Sequence, residues 1–124
     1  MDSHTEPKAD LGGYHHVFVE KLLADGYGVD QIMARELRGM GYDATSGPLT
    51  MMPDNAEIVV AYYDRWTYDF TNYMIELDLI VRTARTDKRL ATFHYHRPSI
   101  TGGSTVEMLD IALRKIFPDK SGSH

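Results

Sequence analysis

The sequence of 124 residues contains no cysteine. This absence excludes a disulfide framework, a thiolate zinc site and a cysteine nucleophile. The sequence also lacks an apolar run of the roughly 20 residues that a membrane-spanning helix requires. Hydrophobic residues make up 43% of the chain and charged residues 25%, which is typical of an ordinary globular domain. At this length we expect one domain with its own hydrophobic core.

The sequence also has no excess of basic residues. The chain has 18 acidic and 13 basic residues, which give a net charge of −5. Such a chain repels a phosphate backbone unless a local basic patch outweighs the net charge. The basic residues that do cluster surround a predicted hairpin turn, where charge is typical of a solvated surface: Arg82, Arg85, Lys88 and Arg89. We therefore expect no nucleic-acid partner.

Recognised catalytic motifs are absent too. The sequence holds no G-x-S-x-G elbow, no G-x-x-x-x-G-K-[ST] loop and no H-E-x-x-H pair. Asp64 and Asp69 stand at odd spacing, so a strand would direct their carboxylates to different faces. The sequence therefore favours a non-enzymatic protein, with no catalytic residue and no cofactor.

Hydrophobic periodicity predicts a single α+β domain over residues 14–117, between a disordered lead-in over 1–13 and a disordered tail over 118–124. The predicted element order is β-α-β-β-β-β-α. The predicted strands cover residues 14–22, 42–52, 56–63, 73–84 and 89–96, and the helices cover 31–40 and 104–117. We expect a mostly antiparallel sheet of four to five strands with two helices packed on one face. The strand over 42–52 contains Gly47 and Pro48, so we place it at an edge.

Particular residues specify the helix ends and the buried faces. Asp30 is predicted as the N-cap of the first helix, and Gly41 as the glycine that follows its last turn. The second helix is predicted to bury one stripe: Val106, Leu109, Leu113, Ile116 and Phe117. The strand over 73–84 is predicted to bury one face: Ile75, Leu77, Leu79 and Val81.

Aromatic residues concentrate between the predicted strands over 56–63 and 73–84, within residues 64–73. One interpretation is a hydrophobic plug beneath the corner between these strands. The other is an exposed patch that docks a protein, a peptide or a glycan. The candidate protein-binding residues are Asp64, Arg65, Trp66, Tyr68, Asp69 and Tyr73. The exposure of Trp66 decides between the two interpretations.

His94 and His96 form the second constellation, because alternate residues of a strand share one face. If the last two strands pair with their apolar faces aligned, paired residue numbers sum to about 172 or 174. His94 then faces Asp78 or Ile80, and His96 faces Glu76 or Asp78. The four polar residues that come nearest to a metal site are Glu76, Asp78, His94 and His96. We favour ordinary cross-strand charge pairs and expect no metal.

The sequence over residues 53–117 resembles an uncharacterised group of bacterial cell-envelope proteins, many of them predicted lipoproteins. These share the pattern Y-x-D-x-W-x-[WY]-D before a hairpin, which is matched here by Tyr62, Asp64, Trp66, Tyr68 and Asp69. The layout also resembles the small α+β domains that precede propellers in Tol-type periplasmic proteins. The resemblance implies a location at the cell envelope or in the periplasm, with the cytoplasm as the alternative.

Proteins of that group begin at a lipidated cysteine, which this sequence lacks. We therefore expect membrane contact only through a lipid anchor that is absent from this chain. The first functional hypothesis is a non-enzymatic envelope domain that binds another protein, or copies of itself, through a sheet edge or the aromatic corner. The alternative is a small-ligand or metal-binding module on the polar sheet face. An enzyme of unknown class is the third.

Overall fold

The computed structural model describes residues 2–5, 11–22, 27–69, 71–96 and 105–120, with the backbone alone for residues 2–5, 67–69 and 71–73. The strands in these ranges are β1 (Asp2–Thr5), β2 (His16–Glu20), β3 (Asp43–Gly47), β4 (Ile58–Asp69), β5 (Thr71–Thr83) and β6 (Arg89–His96). The α-helices are α1 (Val29–Gly39) and α2 (Thr105–Ile116). Short 3₁₀ turns lie at Leu11–Gly13 and Leu49–Met51.

The six strands form one sheet in the order β1-β6-β5-β4-β2-β3. Strands β4, β5 and β6 form an antiparallel meander, and β1 pairs antiparallel with β6. Strand β2 runs parallel to β3, because α1 is a crossover that returns the chain in the same direction. Strand β2 also runs parallel to β4. The predicted α+β class and the order of the main elements are confirmed. The sheet is mixed, however, and β1 is a strand that the sequence did not predict.

Both helices cover the same face of the sheet, as predicted. Their buried side chains join the inward side chains of five strands in one core, which includes Val17, Ala44, Tyr62, Leu79, Phe93, Met33, Leu37, Leu109 and Leu113. The opposite face carries a smaller cluster of Phe18, Ala56 and Val59, with Met52 packed against it. Because β4 lies inside the sheet and contributes to both clusters, its first half is apolar on both faces, as the sequence predicted.

A β-bulge changes the predicted alternation of β5. Arg65 pairs with Glu76, but Trp66 pairs with Met74, so Ile75 is an extra residue between two pairs. A bulge reverses the alternation of side chains beyond it. Met74 is therefore fully buried and Ile75 only partly so. The prediction that Ile75 shares the buried face of Leu77 was wrong.

Helix α1 begins differently from the prediction and ends as predicted. Its N-cap is Gly28, with φ of 72°, while Asp30 lies buried in the first turn, so the Asp30 cap was wrong. A carboxylate is favoured there by the positive end of the helix dipole. Gly41 has φ of 101°, and the N–H groups of Gly41 and Tyr42 donate to carbonyls in the last turn at 3.1 Å. This is the Schellman arrangement of a glycine-terminated helix.

Helix α2 buries the predicted stripe except at its first residue. Leu109, Leu113, Ile116 and Phe117 are buried as predicted, and Met108 and Ala112 are buried beside them. Val106 is 37% exposed, so its place in the buried stripe was wrong. Ser104, the predicted start of a capping box, lies outside the described residues.

Lys120 connects the C-terminal segment to the N-terminal turn and to α1. Its backbone N–H donates to the carbonyl of Met40 at 2.6 Å, and its ammonium donates to the carbonyl of Tyr14 at 2.8 Å. A Cβ at Gly41 would lie 2.7 Å from the carbonyl carbon of Lys120, so this approach requires glycine. Leu11 is also buried, and β1 covers Asp2–Thr5. The bounds of the domain and its disordered ends, 1–13 and 118–124, stay a prediction.

Candidate functional site

The hairpin of β4 and β5 extends beyond its neighbours in the sheet. Strand β2 pairs with β4 only at Ile58, Val59 and Val60, although β4 continues to Asp69. On the other side, β6 ends at His96, which pairs with Glu76. Within the described residues, the hairpin from Trp66 onward is therefore a two-stranded ribbon. Such ribbons are marginally stable without further packing.

Trp66 forms an aromatic corner with Tyr27, the residue just before α1. The two rings stack with centroids 3.9 Å apart and planes 17° apart. The Trp66 indole Nε1–H donates to Oδ2 of Asp64 at 3.1 Å, and the ring packs partly buried against the main core. Tyr27 remains 46% exposed. The corner thus combines both sequence interpretations, because Trp66 seals the core while the stacked pair presents aromatic surface to solvent.

Of the other predicted binding residues, Arg65 is the one whose side chain is described, and it does not lie at this corner. Arg65 points to the opposite face of the sheet, where its guanidinium is 2.7 Å from the Glu76 carboxylate. Tyr68, Asp69 and Tyr73 lie on the backbone of the ribbon, and their side chains are outside the described residues. The structure therefore brings together Asp64 and Trp66 and separates them from Arg65.

Charged groups form a polar row across β4, β5 and β6. Asp78 pairs in register with His94, and Glu76 with His96, as the sum of 172 requires. The Nδ1 of His94 is 2.5 Å from Oδ1 of Asp78, and its Nε2 is 4.0 Å from the Glu76 carboxylate. Among the side chains that the structure describes, no three form a group that could hold a metal ion. The row consists of the hydrogen bond between His94 and Asp78 and the ion pair between Arg65 and Glu76.

Strand β3 leaves one edge of the sheet open. The N–H of Asp43 donates to the carbonyl of His15, and the carbonyl of Gly47 accepts from Lys21, so alternate residues of β3 bond to β2. The backbone groups of Ala44 and Ser46 consequently point to the outer edge. The Arg38 guanidinium donates to the Ala44 carbonyl at 2.8 Å and covers part of this edge. The edge position of the predicted strand over 42–52 is confirmed.

Sequence reasoning missed a notch where β2 ends beside β4. It is an open cavity of about 410 Å³ lined by Glu20, Lys21, Leu22, Ala61, Tyr63 and Arg82. Tyr63 is 55% exposed in this notch. Burial lowers the pKa of Arg82, but its ion pairs with Glu20 and Asp87, both at 3.0 Å, raise that pKa overall. The notch was missed because it depends on where β2 stops.

A second missed surface lies just after β3. The 3₁₀ turn that follows Pro48 exposes two large apolar side chains, Leu49 at 44% and Met51 at 70%. The sequence did contain an indication of this exposed loop, because these residues lie between two prolines in a segment without hydrophobic periodicity. Two exposed apolar side chains so close together make this loop a candidate contact surface.

No helix in the described part of the chain is long and apolar enough to cross a membrane.

No protein-family model matches the chain, and no curated protein matches it. Solved structures do match the chain. One is a PelC dodecamer from Paraburkholderia phytofirmans, with a TM-score of 0.69 and 14% identity over 94% of this chain and 98% of that chain. A dodecameric point variant of PelC gives a TM-score of 0.65 and 14% identity over 93% and 92%. A PDZ domain protein from Parabacteroides distasonis gives 0.56 and 5% identity over 92% of this chain and 34% of that chain. At these identities the likeness shows a shared fold.

Proposed function

We propose that this chain is a non-enzymatic domain of the bacterial cell envelope that binds protein, and first of all further copies of itself. The observation that supports this proposal most is the structural similarity to PelC, which forms a dodecamer and whose chain is matched over 98% of its length. The fold that builds that oligomer is therefore almost the same size as the present chain.

The surfaces of this chain support the proposal. Strand β3 presents an open edge, and an unpaired edge is a template for a strand of another chain. The ribbon of β4 and β5 lacks a neighbour in the described structure beyond Val60 on one side. Contact with a partner would extend the sheet at either position and stabilise the ribbon.

The polar groups that could have served chemistry are used in structure. Asp64 holds the Trp66 indole, Glu76 pairs with Arg65, and Asp78 pairs with His94. These pairings favour a binding role over catalysis. They also weaken the alternative of a ligand or metal module on the polar face, because a ligand would first have to break them.

The proposed envelope location rests on the resemblance carried by the Y-x-D-x-W pattern. The residues of this pattern also make structural contacts in this chain. Tyr62 is buried, and its hydroxyl accepts the N–H of Leu22 at 3.2 Å, while Asp64 and Trp66 form the corner. The motif thus joins the segment before α1 to β4. Fractionation of cells that express the native gene tests the location, and recovery in the cytosolic fraction alone contradicts it.

Substitution of Ser46 tests whether assembly uses the β3 edge. Ser46→Pro removes an N–H that points outward and leaves the bonds of β3 to β2 in place. We expect the dissociation constant of the oligomer to rise at least tenfold, which corresponds to about 1.4 kcal/mol. Analytical ultracentrifugation measures this, with Ser46→Ala as the matched control and circular dichroism to confirm folding. A folded Ser46→Pro variant that assembles like the control removes the edge from the proposal.

A further inference from the structure

Two surfaces of this chain are open and differ in shape. The first is the notch beside β4, which is recessed and lined in part by Leu22, Ala61 and Tyr63. The second, which we call the β3 flank, consists of β3 and the 3₁₀ turn at Leu49–Met51. The flank presents strand backbone and two protruding apolar side chains. The notch presents the edge of β4 beyond Val60 together with a cavity.

Both surfaces lie toward the side of the sheet that the helices do not cover. Tyr63 and Ala61 share a face with Val59, which belongs to the smaller cluster on that side. Met52, which directly follows the 3₁₀ turn, packs against the same cluster. An extended segment that enters the notch from this side could therefore continue the line of β2 along β4.

The notch has the size and chemistry to receive the flank. Its volume of about 410 Å³ lies within the ~300–1,000 Å³ of pockets that take drug-sized ligands, so it accommodates a methionine and a leucine side chain. Met51 is 70% exposed and Leu49 is 44% exposed, and burial of both removes apolar surface from water. Lys21 lines the notch, whose other two charged residues, Glu20 and Arg82, already pair with each other at 3.0 Å. Asp54, of opposite charge, follows Met51 by three residues in the sequence.

We infer that the β3 flank of one copy occupies the notch of the next copy of this chain. The inference rests on the proposed self-association and names its interface. The two contact surfaces differ, so the contact is heterologous, and repetition of a heterologous contact produces a closed ring or an open filament. The added strand also gives β4 a neighbour beyond Val60, where β2 stops.

The absence of cysteine allows a direct test with single-cysteine variants. Met51→Cys and Tyr63→Cys proteins are purified separately, mixed in equal amounts and treated with a short bis-maleimide cross-linker. We expect covalent dimers in the mixture and none in either variant alone, because the contact joins position 51 of one copy to position 63 of another. In the matched control, Ile111→Cys is mixed with Tyr63→Cys in place of Met51→Cys. Ile111 is 48% exposed on α2 and lies outside the flank, so this mixture should give no covalent dimer.

Sedimentation of the unsubstituted chain in the same buffer separates the two claims. If that chain assembles while the mixture gives no dimer, or only dimers between identical positions, the flank-to-notch contact is overturned and the proposed function stands. If the chain is monomeric at the concentrations used, the proposed self-association is itself wrong. If the unsubstituted chain assembles and covalent dimers form only in the mixture, the result supports both the self-association and the flank-to-notch contact.

Discussion

At the scale of single residues, the candidate site consists of side-chain pairs across neighbouring strands and of one aromatic contact between separate elements. The spacing of Asp78 and His94 was predictable, because side chains of paired strands alternate with a period of two. The stack of Tyr27 on Trp66 was not, since it joins residues far apart in sequence through the course of the chain around α1. Pairing is predicted by local periodicity, whereas contacts between separate elements require the fold.

The polar row predicts an absence of tight zinc binding. A metal at His94 and Glu76 would have to break the contacts that these residues make with Asp78 and Arg65, at 2.5 and 2.7 Å. We therefore expect no sub-micromolar zinc binding in a calorimetric titration at neutral pH. The double variant His94→Ala/His96→Ala is the control. Tight binding in the parent that is lost in this variant would promote the metal-binding module to first place.

At the scale of elements, the strongly periodic segments were predictable and the irregular ones were not. Helix α1 was placed within two residues, because Gly41 and the spacing of its apolar residues specify it. The extra residue at Ile75 could not be read from the sequence, since both Met74 and Ile75 are apolar and either could face the core. Strand β1 was missed because residues 2–5 lack the alternation of a half-buried strand.

The packing of α2 on the sheet gives a prediction about stability. Leu109 is fully buried beneath the sheet, so Leu109→Ala should lower the free energy of unfolding by about 2–5 kcal/mol. Ile111, two residues away on the same helix, is 48% exposed, and Ile111→Ala should change it by no more than about 0.5 kcal/mol. Denaturant unfolding measures both variants. Equal losses would show that α2 does not pack as described.

At the scale of the whole molecule, the fold class followed from the order of the elements, but the direction of β2 did not. The parallel pairing of β2 with both β3 and β4 depends on which side of the sheet α1 crosses and on where β2 is inserted. That insertion produces the notch, because β2 ends at Glu20 while β4 continues to Asp69. The surfaces on which assembly is proposed thus arise from topology, and periodicity alone could not place them.

The molar mass of the chain in solution tests the central claim most directly. Sedimentation equilibrium over a range of concentrations distinguishes the monomer of 14.1 kDa from a multimer without any substitution. The proposed self-assembly predicts a mass several times that of the monomer, with dissociation on dilution. A single species of 14.1 kDa up to high micromolar concentration would contradict it.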